Sequence, residues 1–349
     1  MQFSCHNGKS VVSIEEIMRA FFLTIAAVAG WALAPLVYAQ APATAAPKLL
    51  TPDQEKARSL VESVYNTWRL SVQRGDESGW RRSTTSSRQM RVRNLILSER
   101  GQFPRDFFRS AQNAPLLDNF RYVGALGGCG GKTLAATYIG KMQLGNAAAH
   151  ENAFVLLLVN EDGKWKLDQT RFFDLSKLPS VLKRLQSKDI DVLREQDGFH
   201  PYTSIPTTPP AARAPELIGK VFVDCPGRDI EMRINGVSMH EFDDERRADT
   251  ISGGLRRGTN TISYTIRNSS NGQERPSMGI GIFVMPETPG NHPICVFDHV
   301  LDAKGDAKGG SFSFNITPEH IAAMSSKYTG TAPQPFHAVP LREKPAQAK

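Results

Sequence analysis

"NEDGKWKLDQT" (160–170) carries an Asp162-Gly163 pair between two apolar runs, "AFVLLLV" (153–159) and "KWKLDQTRFF" (164–173). A two-residue Asp-Gly loop places both turn residues at positive φ, which matches the twist of the flanking strands, so the stretch reads as the tip of an antiparallel hairpin. That turn sets Asn160 opposite Trp165, Leu158 opposite Leu167, Leu156 opposite Gln169 and Phe154 opposite Arg171. Because side chains alternate along a strand, one face carries Phe154, Leu156, Leu158, Trp165 and Leu167 and ends in Gln169 and Arg171. The other carries Val155, Leu157 and Val159 beside Lys164, Lys166 and Asp168. The Trp165 face is assigned to the inside, with Trp165 buried.

Working outward, "TPDQEKARSLVESVYNTWRLSVQRGD" (51–76) opens with a Thr51 cap, Pro52 at the first helical position and acids in the first turn, all helix-start signals. Ala57, Leu60, Val61, Val64, Tyr65, Trp68 and Val72 recur at helical spacing and form one apolar face. Gly75-Asp76 ends the helix. A second helix is predicted from Trp80 to Leu97, a short third in "FPRDFFRSAQ" (103–112), and strands in "RYVGALGG" (121–128) and "KTLAATYIGKM" (132–142). A polar helix is expected over 175–196.

Helices first, then a bent antiparallel sheet that closes on "DGKWKLDQTRFF", resemble the nuclear transport factor 2-like (SnoaL-like) superfamily of cone-shaped α+β domains over roughly residues 51 to 175. The resemblance implies a cone whose interior holds a small ligand in some members, an active site in others and packed side chains in many. Two interiors follow. In the preferred one, Trp165 and Trp68 fill the cone. In the other, Tyr138, Trp165, Gln169 and Arg171 line its mouth, with small Ala136 leaving room, as an apolar wall with a few polar groups suits a ligand site.

"SIPTTPPAARAPE" (204–216) reads as a stiff extended linker. Beyond it come the strand-like "GKVFVD", "DIEMRING", "NTISYTIRN", "GIGIFVM", "ICVFDHVL" and "GSFSFNI", punctuated by Asn235-Gly236, Gly258 and Asn271-Gly272, which predicts a β-sandwich. Within it "LRRGTNTISYTIRN" (255–268) resembles the loop-strand unit of galactose-binding-like and immunoglobulin-like domains. The organisation expected is thus a leader (1–39), a tether (40–50), an α+β cone domain (51–203), the linker (204–216), an all-β sandwich (217–329) and a disordered Pro-rich tail (330–349).

The leader has a basic start at Met18-Arg19 and an uncharged apolar run, "AFFLTIAAVAGWALAPLVYA" (20–39), ending in Val37-Tyr38-Ala39, the pattern of an export signal cut before Gln40. An uncleaved anchor is the alternative, and Met18 is an alternative start. The implied location is the periplasm, the cell surface or the medium. Cutting there removes Lys9 and Arg19 with Glu15 and Glu16, so the net charge of +7 is unchanged and favours anionic surfaces. Three cysteines remain, and Cys225 with Cys295 is the expected disulfide, leaving Cys129 free.

Catalytic signatures are missing. "GGCGGKT" (127–133) has Leu126 where a phosphate loop needs glycine and is followed by a strand. The histidines lack zinc spacing, no G-x-S-x-G elbow occurs, and "HEFDDERRAD" (240–249) lacks calcium-loop spacing and reads as a solvated turn. No cofactor or metal is expected. Arginines between Arg81 and Arg109 outnumber the neighbouring acids and suggest an anionic envelope polymer or a protein partner. Nucleic acid is not expected, because no aromatics interleave the arginines. The function these features favour is a non-enzymatic envelope or secreted binding or assembly module. The alternatives are a small-molecule carrier or enzyme using the cone cavity and, more weakly, a carbohydrate-binding sandwich.

Overall fold

The structure, a computed structural model, describes residues 52–111, 114–142, 149–187, 189–268, 277–301 and 309–337. The leader, the tether and the end of the tail lie outside the described residues. The chain is a mixed α and antiparallel β protein that divides into two compact units. Among the described residues, one holds those from Pro52 to Val92 together with Pro104–Pro209, and the other holds Arg93–Phe103 with the residues from Pro210 on.

In the first unit, α1 (Pro52–Arg74) starts at its proline and stops at Gly75, whose φ of 66° only glycine adopts freely. Its apolar stripe, Val61, Tyr65, Trp68 and Val72, is buried, and each such side chain contributes roughly 1.5–3 kcal/mol. The helix expected over 80–97 is two: α2 (Glu77–Ser83), capped by Asp76, and α3 (Ser86–Ser98). Thr84 breaks them apart by bridging Leu167, and Thr85 caps the second. The third predicted helix is α4 (Arg105–Ala111).

Four strands follow in meander order, β1 (Arg121–Gly128), β2 (Thr133–Met142), β3 (His150–Glu161) and β4 (Lys164–Asp174). The β3–β4 turn has Asp162 at φ 54° and Gly163 at φ 77°, as the Asp-Gly pair requires. The glycine-rich 127–131 stretch is the β1–β2 connection. Near the tip the register is the expected one, with Asn160 opposite Trp165 and Leu158 opposite Leu167. A β-bulge then shifts it by one, so that Leu157 faces Gln169, Val155 faces Arg171 and Phe154 faces Phe172. Asp168 is the extra residue. Bulges favour edge strands because an edge has no second ladder to disrupt, and β4 is an edge of this sheet.

Both sheet faces are covered. Phe154 meets Tyr65 of α1 edge-on at 5.7 Å and stacks on Phe172 at 4.4 Å. On the opposite face, Val155 and Leu157 join a cluster with Leu175, Val181, Leu185, Val192, Leu193 and Phe199. The segment expected as one polar helix supplies all of these but Val155, Leu157 and Phe199, as a 3-10 turn (Leu175–Lys177), α5 (Pro179–Gln186) and α6 (Val192–Glu195).

The second unit contains β5 (Gly219–Asp224), β6 (Arg228–Ile234), β7 (Ser238–Asp243), β8 (Arg246–Thr250), β9 (Gly258–Asn268), β10 (Met278–Val284), β11 (Ile294–Leu301) and β12 (Gly309–Ile316), then α7 (Pro318–Ala323) and the short β13 (Phe336–His337). They form a five-stranded sheet, β13-β11-β10-β5-β8, and a four-stranded sheet, β12-β9-β6-β7. Both sheets contribute to one apolar cluster that includes Val221, Ile230, Phe242, Ile262, Ile282, Phe297 and Phe314.

Four expectations are corrected in this unit. Residues 240–243 and 246–249 are strands joined by a turn at Asp244-Glu245, rather than one solvated turn, because His240, Phe242, Ala248 and Thr250 are buried and alternate with less buried neighbours. The expected Cys225–Cys295 disulfide is not present in the structure. Asp224 pairs with Gly279 while Cys295 pairs with Phe283, so the two cysteines flank β10 on opposite sides. Cys225, one residue beyond Asp224, is level with Met278, which separates the two by about 17 Å along the strand and about 10 Å across it, against the roughly 7 Å a disulfide spans. The tail is ordered as far as His337, since Phe336 packs against Phe297 at 5.9 Å. Finally, Arg93–Phe103 belongs with this unit, where buried Asn94 donates to the Pro210 carbonyl at 2.8 Å and accepts from the Ala212 N–H at 2.9 Å. The proline-rich segment is therefore not a bare linker.

Candidate functional site

The four residues expected at a cone mouth do not converge. By register Tyr138 and Trp165 lie on the Phe154 face, while the bulge moves Gln169 and Arg171 to the Val155 face. The Phe154 face is filled: Phe154, Leu156 and Leu158 are fully buried, with Tyr138 at 1% exposure. Trp165 is half-buried instead of buried, because it sits beside the turn and Leu158, Leu156 and Phe154 occupy the interior positions. Burial holds the Tyr138 phenol well above the usual tyrosine range, with the nearby Glu62 charge adding to the effect. Its hydroxyl is buried with no hydrogen-bond partner among the described residues.

The bulge builds a different centre. Asp168 is fully buried. Its Oδ1 accepts from Thr85 Oγ1 at 2.5 Å, and its Oδ2 accepts from Arg91 Nη2 at 2.5 Å and from Tyr202 Oη at 2.6 Å. Thr85 accepts the Arg88 backbone N–H in turn, so one hydroxyl caps α3 and anchors the carboxylate. The Gln169 side-chain amide lies 2.9 Å from the Tyr202 hydroxyl, and Arg171 lies over the Tyr202 ring at 5.9 Å while donating to the Gly198 carbonyl. Burial together with the Asp168 charge raises the Tyr202 phenol above its ordinary range. Burial alone would lower the Arg91 guanidinium, but Asp168 outweighs it and holds it raised. Both carboxylate oxygens are taken by donors and the group is sealed from solvent, so it fastens α3, the β4 edge and Tyr202 together and offers no position to a substrate. The sequence signal for it was weak: a lone Asp in a strand, with donors at positions 85, 91 and 202 that only the fold assembles.

A serine–histidine–aspartate arrangement occurs in the second unit. Ser238 Oγ lies 2.7 Å from His240 Nε2, and His240 Nδ1 lies 3.4 Å from Asp249 Oδ2. Burial would raise the Asp249 carboxyl, yet the His240 hydrogen bond and the Arg247 charge hold it below its usual range. The order resembles a nucleophile relay, but Ser238 is fully buried and its Oγ accepts the Ser252 N–H at 2.8 Å. A hydroxyl closed off in this way cannot reach a substrate carbonyl, and the relay acts as a latch between β7 and the residues after β8. Among the described residues no group of acids, histidines and cysteines is arranged to hold a metal ion.

The arginines between 81 and 109 do not form one face. Arg81 pairs with Glu77, Arg100 with Glu287, and Arg105 and Arg109 with Asp106. Arg93 donates to the Ala212 carbonyl. Arg81 and Arg82 do meet other cations, because a polar groove of about 700 Å³ runs between α2 and the hairpin tip, lined by Glu77, Ser78, Arg81, Arg82, Lys164 and Lys166. The two lysines come from the opening stretch of the sequence, which pattern reading treated only as the polar face of a strand.

Comparison with known proteins finds no family, no curated protein and no solved structure that matches this chain.

Proposed function

We propose that the protein is an exported, non-enzymatic binding or assembly module, built from a cone-like α+β domain and a β-sandwich. The observation that carries this reading is the filled interior of the first unit. Tyr65, Tyr138, Phe154, Leu156 and Leu158 occupy the space a cone would leave for a ligand. The meander of four strands behind leading helices supports the likeness to the nuclear transport factor 2-like superfamily, and one core shared by two sheets supports the sandwich. The apolar run ending at Val37-Tyr38-Ala39 supports export. The two most reactive-looking constellations, at Asp168 and at Ser238, are sealed, which favours a role carried by the surface.

Two measurements test the reading. A thermal-shift screen against small anionic and aromatic compounds should find none whose stabilisation of the wild type depends on Arg171. A compound that raises the melting temperature of the wild type but not of Arg171→Ala would replace this reading with a carrier or an enzyme. N-terminal sequencing of exported material should begin at Gln40, and a chain beginning at or before Met18 overturns the cleaved leader.

A further inference from the structure

We propose that the groove between α2 and the β3–β4 hairpin tip binds an acidic polysaccharide through paired rows of cations. The inference rests on the reading of the chain as a binding module and names its ligand class. One wall is helical and presents Arg81 and Arg82. The other is a strand and presents Lys164 and Lys166, which, two residues apart, stand about 7 Å from each other on one strand face.

The charges in the groove are not cancelled locally. Arg81 grips Glu77 through Nε at 2.9 Å and Nη2 at 2.6 Å. Lys166 holds Glu161 at 2.6 Å, and that carboxylate also faces the Ser86 N–H and hydroxyl. Arg82 donates to the neutral Ser78 hydroxyl, and neither Arg82 nor Lys164 has an acid partner among the described residues. Four cations against Glu77 and Glu161 leave two positive charges in a concave space. Clustered cations lining a concavity attract anions more strongly than the same charges spread over a convex surface.

The lining chooses among polyanions. A lipid surface calls for apolar side chains to insert beside the cations, and a single-stranded nucleic acid calls for aromatic platforms. The groove walls supply neither, since Trp165 alternates to the strand face opposite Lys164 and Lys166. Hydroxyl, guanidinium and ammonium donors remain, which suit a hydrated chain bearing carboxylates or sulfate esters. The volume, about 700 Å³, admits a segment of such a chain.

The test uses the full chain with polygalacturonate for carboxylates, dextran sulfate for sulfate esters, neutral dextran, and vesicles containing phosphatidylglycerol. Binding is read from tryptophan fluorescence and from cosedimentation. The wild type should bind one or both anionic polysaccharides, more weakly as salt rises, and should not bind neutral dextran. Arg82→Ser with Lys164→Ser should weaken binding about tenfold, whereas Arg105→Ser with Arg109→Ser, an equal loss of charge on α4, should change it less than about twofold. Equal losses in the two variants would reduce the effect to net charge and overturn the site, and preference for the vesicles would overturn the ligand class. Absence of polysaccharide binding overturns the proposal while leaving the packed interior, tested separately through Arg171, untouched. Lys164→Ser alone, at the exposed hairpin tip, keeps the test valid should the double variant fold poorly.

Discussion

Arg91 Nη2 donates to Asp168 Oδ2 at 2.5 Å, across 77 residues of sequence, and this contact ties α3 to the bulge in β4. The carboxylate is fully buried, while the arginine side chain keeps 38% of its exposure. Burial of one ion with partial hydration of its partner makes the pair asymmetric. Removing the acid leaves Thr85, Tyr202 and Arg91 donors without their acceptor, whereas removing the arginine leaves an unneutralised carboxylate with two hydroxyl donors.

Asp168→Ala should therefore destabilise the first unit by about 3 kcal/mol, the lower end of the range for breaking a buried pair, because Arg91 still reaches water. Arg91→Ala should also destabilise, and the double variant should lose less than the sum of the two. Urea denaturation of the three variants measures the coupling. Additive losses would show that the two side chains act independently.

Trp165→Ala should cost less than Leu156→Ala, for which deletion of a fully buried leucine predicts about 2–5 kcal/mol. Trp165 stands beside the turn, half-buried, with less packing to lose. Thermal unfolding of the two variants orders them, and a larger loss at Trp165 contradicts its half-buried place beside the turn.

The difference between those two residues shows how far the sequence could be read. The Asp-Gly turn and the alternation of 153–167 fix the hairpin and its first pairings, because turn chemistry and side-chain period are local. A bulge is set instead by what lies beside the edge, here Thr84, Thr85 and Arg91, and no local pattern announces it. From Gln169 onward every assignment to a face was reversed, and with it the grouping of Gln169 and Arg171 with Tyr138. The strands at 238–250 were missed for a related reason: inward Phe242 and Ala248 alternate with so many charges that composition masks the period of two. The groove was legible in part, since its arginines stood out by number while its lysines needed the fold to bring them across.

Tyr138→Phe should leave stability unchanged or raise it by up to about 1 kcal/mol. The hydroxyl is buried without a partner among the described residues, so removing it relieves a desolvated polar atom and keeps the ring against its neighbours. A loss of more than about 1 kcal/mol on chemical denaturation would reveal a hydrogen bond, for example to a buried water.

His320 should make the second unit less stable in mild acid. Its Nδ1 accepts the Thr317 N–H at 3.2 Å in the first turn of α7, a role open only to the neutral ring. Burial lowers its pKa, against weaker opposing pulls from the Gln334 backbone and the Glu319 charge. With the folded value below the unfolded value near 6.5, the unfolded chain binds more protons between the two. The contribution of His320 is thus fully present above about pH 6.5 and is lost as the pH falls through that window. For one proton the slope cannot exceed about 1.4 kcal/mol per pH unit. The unit contains other histidines, so the measurement is a difference: denaturation of wild type and His320→Gln at pH 7.5, 6.5 and 5.5 (about one unit apart, bracketing the unfolded value). The wild type should lose more stability than the variant on acidification, because glutamine keeps an acceptor without gaining a charge. Parallel pH profiles would remove His320 from the acid response and, with it, the neutral-ring cap as its cause.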